Sequence, residues 1–154
     1  MPRLITALGA ALFLFLGATT MGAQDSSYDE NALRVESRLG DLQIVRGIQG
    51  TVVARAGVFH GPKVADLVSQ SDQALAEAKV FERNYEPGQA FAALGIATLG
   101  AAIGASRIQD VNAAIPSALT AASFILIAYG GSKLESAYRA LSRSIWFYNR
   151  DLKR

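Results

Sequence analysis

The chain has no cysteine and only one histidine, which excludes several kinds of site from the start. Without thiols there is no disulfide framework, no thiolate metal site and no cysteine nucleophile. One imidazole cannot build a multi-histidine metal centre. Charged residues make up only 18% of the 154 residues, whereas hydrophobic residues make up 51%. This balance argues against a disordered chain.

The N-terminal residues have the pattern of an export signal. Arg3 is the only charged residue before Asp25, and an apolar run over residues 4–17 is followed by small residues up to Ala23. A basic start, an apolar core of about 7–15 residues and a small-residue exit are typical of secretory signal peptides. We therefore expect residues 1–23 to be a signal peptide cleaved after Ala23. An uncleaved anchor and a buried helix are the alternatives.

Residues 24–88 predict a small exported α+β head. Residues 42–46 and 51–55 are rich in β-forming side chains and flank the glycine-bounded turn at residues 47–50, which predicts a β-hairpin. A head of about 60 residues buries only a small core. We therefore expect the head to pack against the following helices or against a membrane.

A helix follows the hairpin within this head. Ser71 is placed to cap a helix that begins at Asp72. Its expected buried stripe consists of Leu75, Ala78, Phe81 and Tyr85. The pair Pro87-Gly88 predicts the end of both the helix and the head, because proline removes a helical hydrogen bond.

Residues 89–131 predict a transmembrane helical hairpin. Residues 90–106 and 111–131 carry no charged side chain, and the connection between them is short enough to make the pair antiparallel. At about 1.5 Å per residue the two stretches span roughly 26 and 31 Å, against a hydrocarbon core of about 30 Å. The alternative is a pair of buried helices in a soluble exported protein.

Small side chains predict how these helices associate. In the first stretch the candidates for helix packing and interaction are Ala97, Gly100, Ala101 and Gly104. Alanines of the first stretch recur every fourth position at residues 93, 97, 101 and 105, and the same spacing recurs in the second stretch at Ala114, Ala118 and Ala122. Lipid supplies no hydrophobic force between helices, so association depends on close approach of the backbones.

Residues 132–154 predict a separate, basic amphipathic helix. Its apolar stripe consists of Leu134, Tyr138, Leu141, Ile145, Tyr148 and Leu152. A second face carries Arg139, Arg143 and Trp146, which together with Tyr148 are further interaction candidates. Basic and aromatic residues after an apolar span are typical of a helix that lies on an anionic membrane surface. Packing of the stripe against the head, or against a second copy, is the other interpretation.

No catalytic constellation is present in the sequence. His60 follows a predicted strand, where a solvent-facing loop histidine is the simplest interpretation. There is no phosphate-binding glycine loop with its lysine, no G-x-S-x-G motif and no S-x-x-K motif. We therefore expect no enzymatic activity, no cofactor and no metal site. Export and the lack of a recognised module also argue against nucleic acid as a partner.

The signal peptide and the basic C-terminus predict opposite orientations. Export places residues 24–88 outside, and a two-helix hairpin then returns the C-terminus to the same side. The positive-inside rule favours a cytoplasmic location for the six basic residues of the terminal helix. We follow the signal peptide and expect a cell-envelope protein whose head faces the periplasm or the exterior.

The order of elements resembles a group of small exported bacterial envelope proteins that have no assigned activity. These proteins have a strand-and-helix head, a Gly/Ala-rich hairpin and a terminal helix that closes on Tyr-Asn and a final Leu. The corresponding residues are Tyr148, Asn149 and Leu152, and the likeness covers residues 51–152 as architecture. It implies an envelope location and transfers no activity, substrate or functional residue.

These observations predict a non-enzymatic, membrane-anchored envelope protein. Its expected role is that of an accessory or structural subunit of a membrane complex, with the lipid bilayer and either a membrane protein or a second copy as partners. Two alternatives stay open. One is a soluble exported module that binds an apolar ligand, and the other is a small membrane-perturbing protein.

Overall fold

The structure is a computed structural model that describes residues 28–38, 41–57, 60–108 and 112–154. The predicted signal peptide, residues 1–23, lies outside the described residues. The described chain forms a three-stranded antiparallel sheet followed by two long apolar helices. The predicted α+β class is therefore confirmed.

The sheet is a meander with the strand order β1-β2-β3. Strand β1 is Leu33–Arg38, β2 is Asp41–Arg46 and β3 is Thr51–Ala56. The predicted hairpin is the β2–β3 pair, and both glycines of its turn, Gly47 and Gly50, have a φ of 68°. Glycine adopts this left-handed conformation without steric cost. Strand β1 extends the predicted hairpin to a three-stranded sheet.

Within the described ranges, three helices follow the sheet. Helix α1 is a single turn, Val64–Leu67, helix α2 is Asp72–Ala105 and helix α3 is Ala114–Asp151. The predicted N-cap of α2 is confirmed, because the Ser71 side chain accepts a hydrogen bond from the Ala74 N–H at 3.3 Å.

Helix α2 does not end at Pro87-Gly88, so the predicted helix boundary there is wrong. Pro87 lies inside the helix and is exposed. An interior proline costs about 3 kcal/mol, because its nitrogen cannot donate to the carbonyl one turn earlier. Gly88 lies against the side chain of Leu134 on α3. Packing between the two long helices continues through this point and offsets the local cost.

Helix α3 likewise continues through Gly130-Gly131. The predicted transmembrane stretch and the predicted C-terminal helix are therefore one helix rather than two. Gly130 is buried where α3 crosses α2, so it serves close approach instead of ending the helix. The extra flexibility of two glycines is insufficient to break a helix that is packed along its length.

The head has one hydrophobic core, to which both ends of the described chain contribute. The sheet supplies Leu33, Ile44 and Ala56, and the first part of α2 supplies Ala74, Ala78, Phe81 and Tyr85. The last third of α3 supplies Ala137, Ala140, Leu141, Ile145 and Tyr148. The terminal stripe predicted from the sequence therefore packs mostly inside the head. This arrangement gives a small sheet the additional core that it lacks alone.

Candidate functional site

The two long helices meet along a line of small residues spaced seven apart. On α2 these are Gly88, Gly95 and Ala102, and on α3 they are Ser123, Gly130, Ala137 and Ser144, all of them buried. A Cβ atom on Gly130 would lie 2.6 Å from the Ala92 nitrogen and 2.8 Å from the Gly88 carbonyl oxygen. The backbones are therefore too close for any larger side chain at this position.

The sequence prediction emphasised a different spacing. The sequence predicts packing through the small residues that recur every fourth position on α2, but small residues on this helix also recur every seventh position. A seven-residue repeat is the one that keeps a line of contact between two long helices, because it matches 3.5 residues per turn. The seven-residue repeat of small residues is therefore the sequence signal that identifies the contact between α2 and α3.

The predicted interaction residues on α2 lie outside this contact. Ala97, Gly100, Ala101 and Gly104 are all exposed. A Cβ atom on Gly100 or Gly104 would have no neighbour within 4 Å. Gly100 and Gly104 therefore do not join α2 to α3 within the part of the chain that the structure describes.

Large apolar side chains are exposed on both sides of the helix contact. Leu94 and Ile96 flank the buried Gly95 and are 54% and 65% exposed. Neighbouring residues of a helix lie about 100° to either side, so the exposed apolar surface faces opposite directions. On α3, Phe124 and Ile125 are 61% and 69% exposed.

Both long helices are apolar and long enough to cross a membrane by length and composition. Of the most apolar 18-residue stretch, only 17% is buried in α2 and 11% in α3. A core helix of a soluble protein would be mostly buried. These stretches instead form a large exposed apolar surface, of the kind that marks a membrane or protein contact.

The hydroxyl groups within the apolar hairpin are satisfied by their own helices. Each serine and threonine between residues 89 and 131 donates to a nearby backbone carbonyl: Thr98 to Leu94, Ser106 to Ile103, Ser117 to Ala113, Thr120 to Pro116 and Ser123 to Thr120. Such bonds need no water. The exposed hydroxyls therefore do not require an aqueous surrounding.

On both long helices, the charged residues give way to an uncharged stretch at the same height along the helix pair. Residues 87–105 of α2 and 114–132 of α3 carry no charged side chain. At about 1.5 Å per residue, each stretch is about 28 Å long. The next residues are Glu86 and Lys133, and the Lys133 amine donates to the Asn84 carboxamide at 3.3 Å. One boundary thus separates the head from the apolar part of the hairpin.

The interaction candidates of the terminal segment have diverse surroundings. Arg139 forms an exposed ion pair with Glu135, one turn closer to the apolar part of the hairpin. A nitrogen of Arg143 lies 3.1 Å from a carboxylate oxygen of Glu77 on α2.

The two aromatic candidates differ in exposure. Trp146 is 59% exposed, whereas Tyr148 is buried in the core. Because α3 is continuous, its last third extends beyond the apolar stretch instead of forming a separate helix that can lie flat on a surface. The stripe packs against the head, as one of its interpretations predicts.

Polar contacts fasten the end of α3 to the head. The Ser71 hydroxyl donates to the Asp151 carboxylate at 2.6 Å. This hydrogen bond and those from Arg150 hold the pKa of Asp151 below its usual value. Close to the charged boundary, burial raises the pKa of Tyr138, and the neighbouring Tyr85 raises it further. The rings of these tyrosines meet edge to face, with centroids 6.1 Å apart.

His60 is exposed at the end of the strand region. No group of three or more His, Asp or Glu residues in the described ranges could hold a metal ion. The chain matches no protein-family model, no curated protein and no solved structure, so the helical hairpin and its charged boundary are the features on which a functional proposal rests.

Proposed function

We propose that this chain is a non-enzymatic envelope protein anchored by a two-helix hairpin that crosses a membrane. The observation that carries the proposal is the exposed apolar surface of residues 87–105 and 114–132, because water would face that surface in a soluble monomer. The internally bonded hydroxyls and a length close to the hydrocarbon thickness also support it.

The proposal places the head and the C-terminal segment on the same side of the membrane. Residues 137–148 belong to the core that also contains Leu33 and Phe81, so these parts cannot lie in different compartments. The export signal predicted in the sequence makes that compartment the periplasm or the exterior. The loop at the far end of the hairpin then faces the cytoplasm.

Single-cysteine labelling tests this topology, because the natural chain has no thiol. Gln49 in the β2–β3 turn, Asn112 in the hairpin loop and Lys153 near the C-terminus are all exposed sites for replacement by cysteine. In spheroplasts, an impermeant maleimide should label positions 49 and 153 at once and position 112 only after permeabilisation. The opposite pattern would reverse the orientation, and immediate labelling of all three would overturn the membrane-spanning hairpin.

Alkaline carbonate extraction tests the membrane anchor itself. The membrane-spanning protein should stay in the pellet. Release into the supernatant would overturn the proposal and favour the soluble alternative, a module that holds an apolar ligand between its helices.

Within this proposal, the exposed face of Ala97, Gly100, Ala101 and Gly104 is the surface for a partner helix or a second copy. Gly104→Leu should reduce co-purification of a partner or of a tagged second copy in mild detergent. The same substitution distinguishes the membrane-perturbing alternative, since dye leakage on overexpression that Gly104→Leu abolishes would favour that function.

A further inference from the structure

A shallow groove lies on α3, on the head side of the boundary that Glu86 and Lys133 mark. It has a volume of about 410 Å³ and is lined by Tyr138, Arg139, Ser142 and Arg143, which we call the arginine groove. At about 1.5 Å per residue, the Cα atoms of Arg139 and Arg143 lie about 9 and 15 Å beyond Lys133 along the helix. The headgroup layer extends about 5–8 Å beyond the hydrocarbon core, so Arg139 reaches this zone with its side chain, whereas Arg143 lies farther out.

The direction of α3 aims the Arg139 side chain at this zone. Helical side chains tilt toward the helix N-terminus, and the N-terminal part of α3 is its apolar part. The ion pair from Arg139 back to Glu135 follows this direction. Both side chains of the pair are more than half exposed, so the bond exchanges readily with another anion.

The chemistry of the groove suits a phosphodiester. A guanidinium has five N–H donors in a planar fork. Arg139 contacts Glu135 and Arg143 contacts Glu77 through one nitrogen each, so both guanidinium groups have further N–H donors for a ligand. The Ser142 side chain lines the same opening and adds a hydroxyl group that can donate to a phosphate oxygen, whereas the Tyr138 hydroxyl is hydrogen-bonded to Tyr85. Glu135 is the exposed carboxylate that competes for Arg139.

We propose that the arginine groove binds the headgroup phosphate of an anionic phospholipid, a role that rests on the proposed membrane-spanning hairpin. Arg139 is the principal contact, because its side chain points toward the bilayer and is 72% exposed. Arg143 is held near the groove by Glu77 and adds a second positive charge.

The test compares protein in nanodiscs of phosphatidylcholine with protein in nanodiscs that also contain phosphatidylglycerol. Native mass spectrometry measures how much phosphatidylglycerol stays bound. Arg139→Gln should weaken this retention about fivefold, the usual contribution of one basic residue near an anionic surface, and Arg139→Gln with Arg143→Gln should weaken it further. Arg139→Lys should retain most of it.

Two further variants separate headgroup binding from other effects. Lys153→Gln with Arg154→Gln removes two charges from the far end of the same region and should leave retention unchanged. Glu135→Gln removes the competing carboxylate and should increase retention, which damage to the fold would not do. Equal loss in the far-end variant, or no change in Arg139→Gln, would overturn the proposal.

Reconstitution into nanodiscs distinguishes failure of the headgroup site from failure of the proposed membrane-spanning hairpin. If the natural protein and all variants enter both kinds of nanodisc but retain phosphatidylglycerol equally in the mixed ones, only the headgroup site is overturned. If the natural protein fails to enter any nanodisc, the membrane-spanning hairpin is overturned, and the headgroup site with it.

Discussion

The side-chain amide of Asn149 makes two hydrogen bonds with the backbone of Leu33, 116 positions earlier in the chain. Its oxygen accepts from the Leu33 N–H at 2.8 Å, and its nitrogen donates to the Leu33 carbonyl at 2.7 Å. The carboxamide thus takes the place of a neighbouring strand at the start of β1. It links the sheet to the end of α3 through polar groups that would otherwise lack partners.

Asn149→Ala should lower the free energy of unfolding by about 2–3 kcal/mol, because two hydrogen bonds are lost and a partly buried backbone N–H loses its acceptor. Chemical denaturation in detergent measures the loss, and faster hydrogen exchange at Leu33 locates it. Gln49→Ala, which removes an exposed amide in the β2–β3 turn, should have little effect. Equal stability of the two variants would contradict the role of Asn149.

Acid should loosen the end of α3 through Asp151. Because the pKa of Asp151 is lowered in the folded chain, chiefly by the hydrogen bond from Ser71, the unfolded chain binds the proton more readily. This stabilisation is complete above about pH 5 and is lost as the pH falls through the lowered pKa.

Melting temperatures measured against pH test this dependence. The natural protein should lose stability more steeply on acidification than Asp151→Asn, which has no carboxylate to titrate there. Asp66→Asn provides a control at an exposed aspartate of α1. Parallel curves for the natural protein and Asp151→Asn would show that the contact with Ser71 contributes nothing.

The glycines of α2 and α3 should respond oppositely to substitution by alanine. Gly130→Ala forces a Cβ atom against two backbone atoms of α2, so a loss of about 1–3 kcal/mol is expected. Gly104→Ala meets open space and should be neutral or stabilise by up to about 1 kcal/mol, since alanine favours helix. Denaturant unfolding of both variants under the same conditions decides the matter, and the reverse ranking would refute this packing.

Pro87→Ala should stabilise the protein by up to about 3 kcal/mol, because alanine restores the N–H that the helix lacks at this position. The site is exposed, so no packing is lost with the ring. A melting temperature above that of the natural protein is the expected result. A clear decrease would mean that the proline itself stabilises the chain at this position.

Local signals in the sequence predicted the turn at Gly47 and Gly50 and the cap at Ser71, because both depend on a few adjacent residues. The same kind of reasoning failed at Pro87. A proline stops an isolated helix, but whether it stops a packed one depends on contacts with residues such as Leu134, more than forty positions away. Local preference cannot include that contribution.

The candidate site could be predicted only in part, because its helix contacts also join residues that are far apart in the sequence. The apolar character of the two long helices follows from composition, so the sequence predicts it directly. Which small residues join the helices depends on the relative rotation of α2 and α3, and the sequence carries two competing patterns. The two helices approach closely at Gly95 and Gly130, which belong to the seven-residue repeat. Gly100 and Gly104 lie outside this helix contact.

The contribution of residues 137–148 to the head core also constrains the order of events during biosynthesis. A ribosome makes the sheet and the first part of α2 well before it makes the side chains that complete their packing. The nascent sheet therefore stays incompletely folded until the last part of α3 has been made. Completion of the head core is a late step that follows synthesis of the whole apolar hairpin.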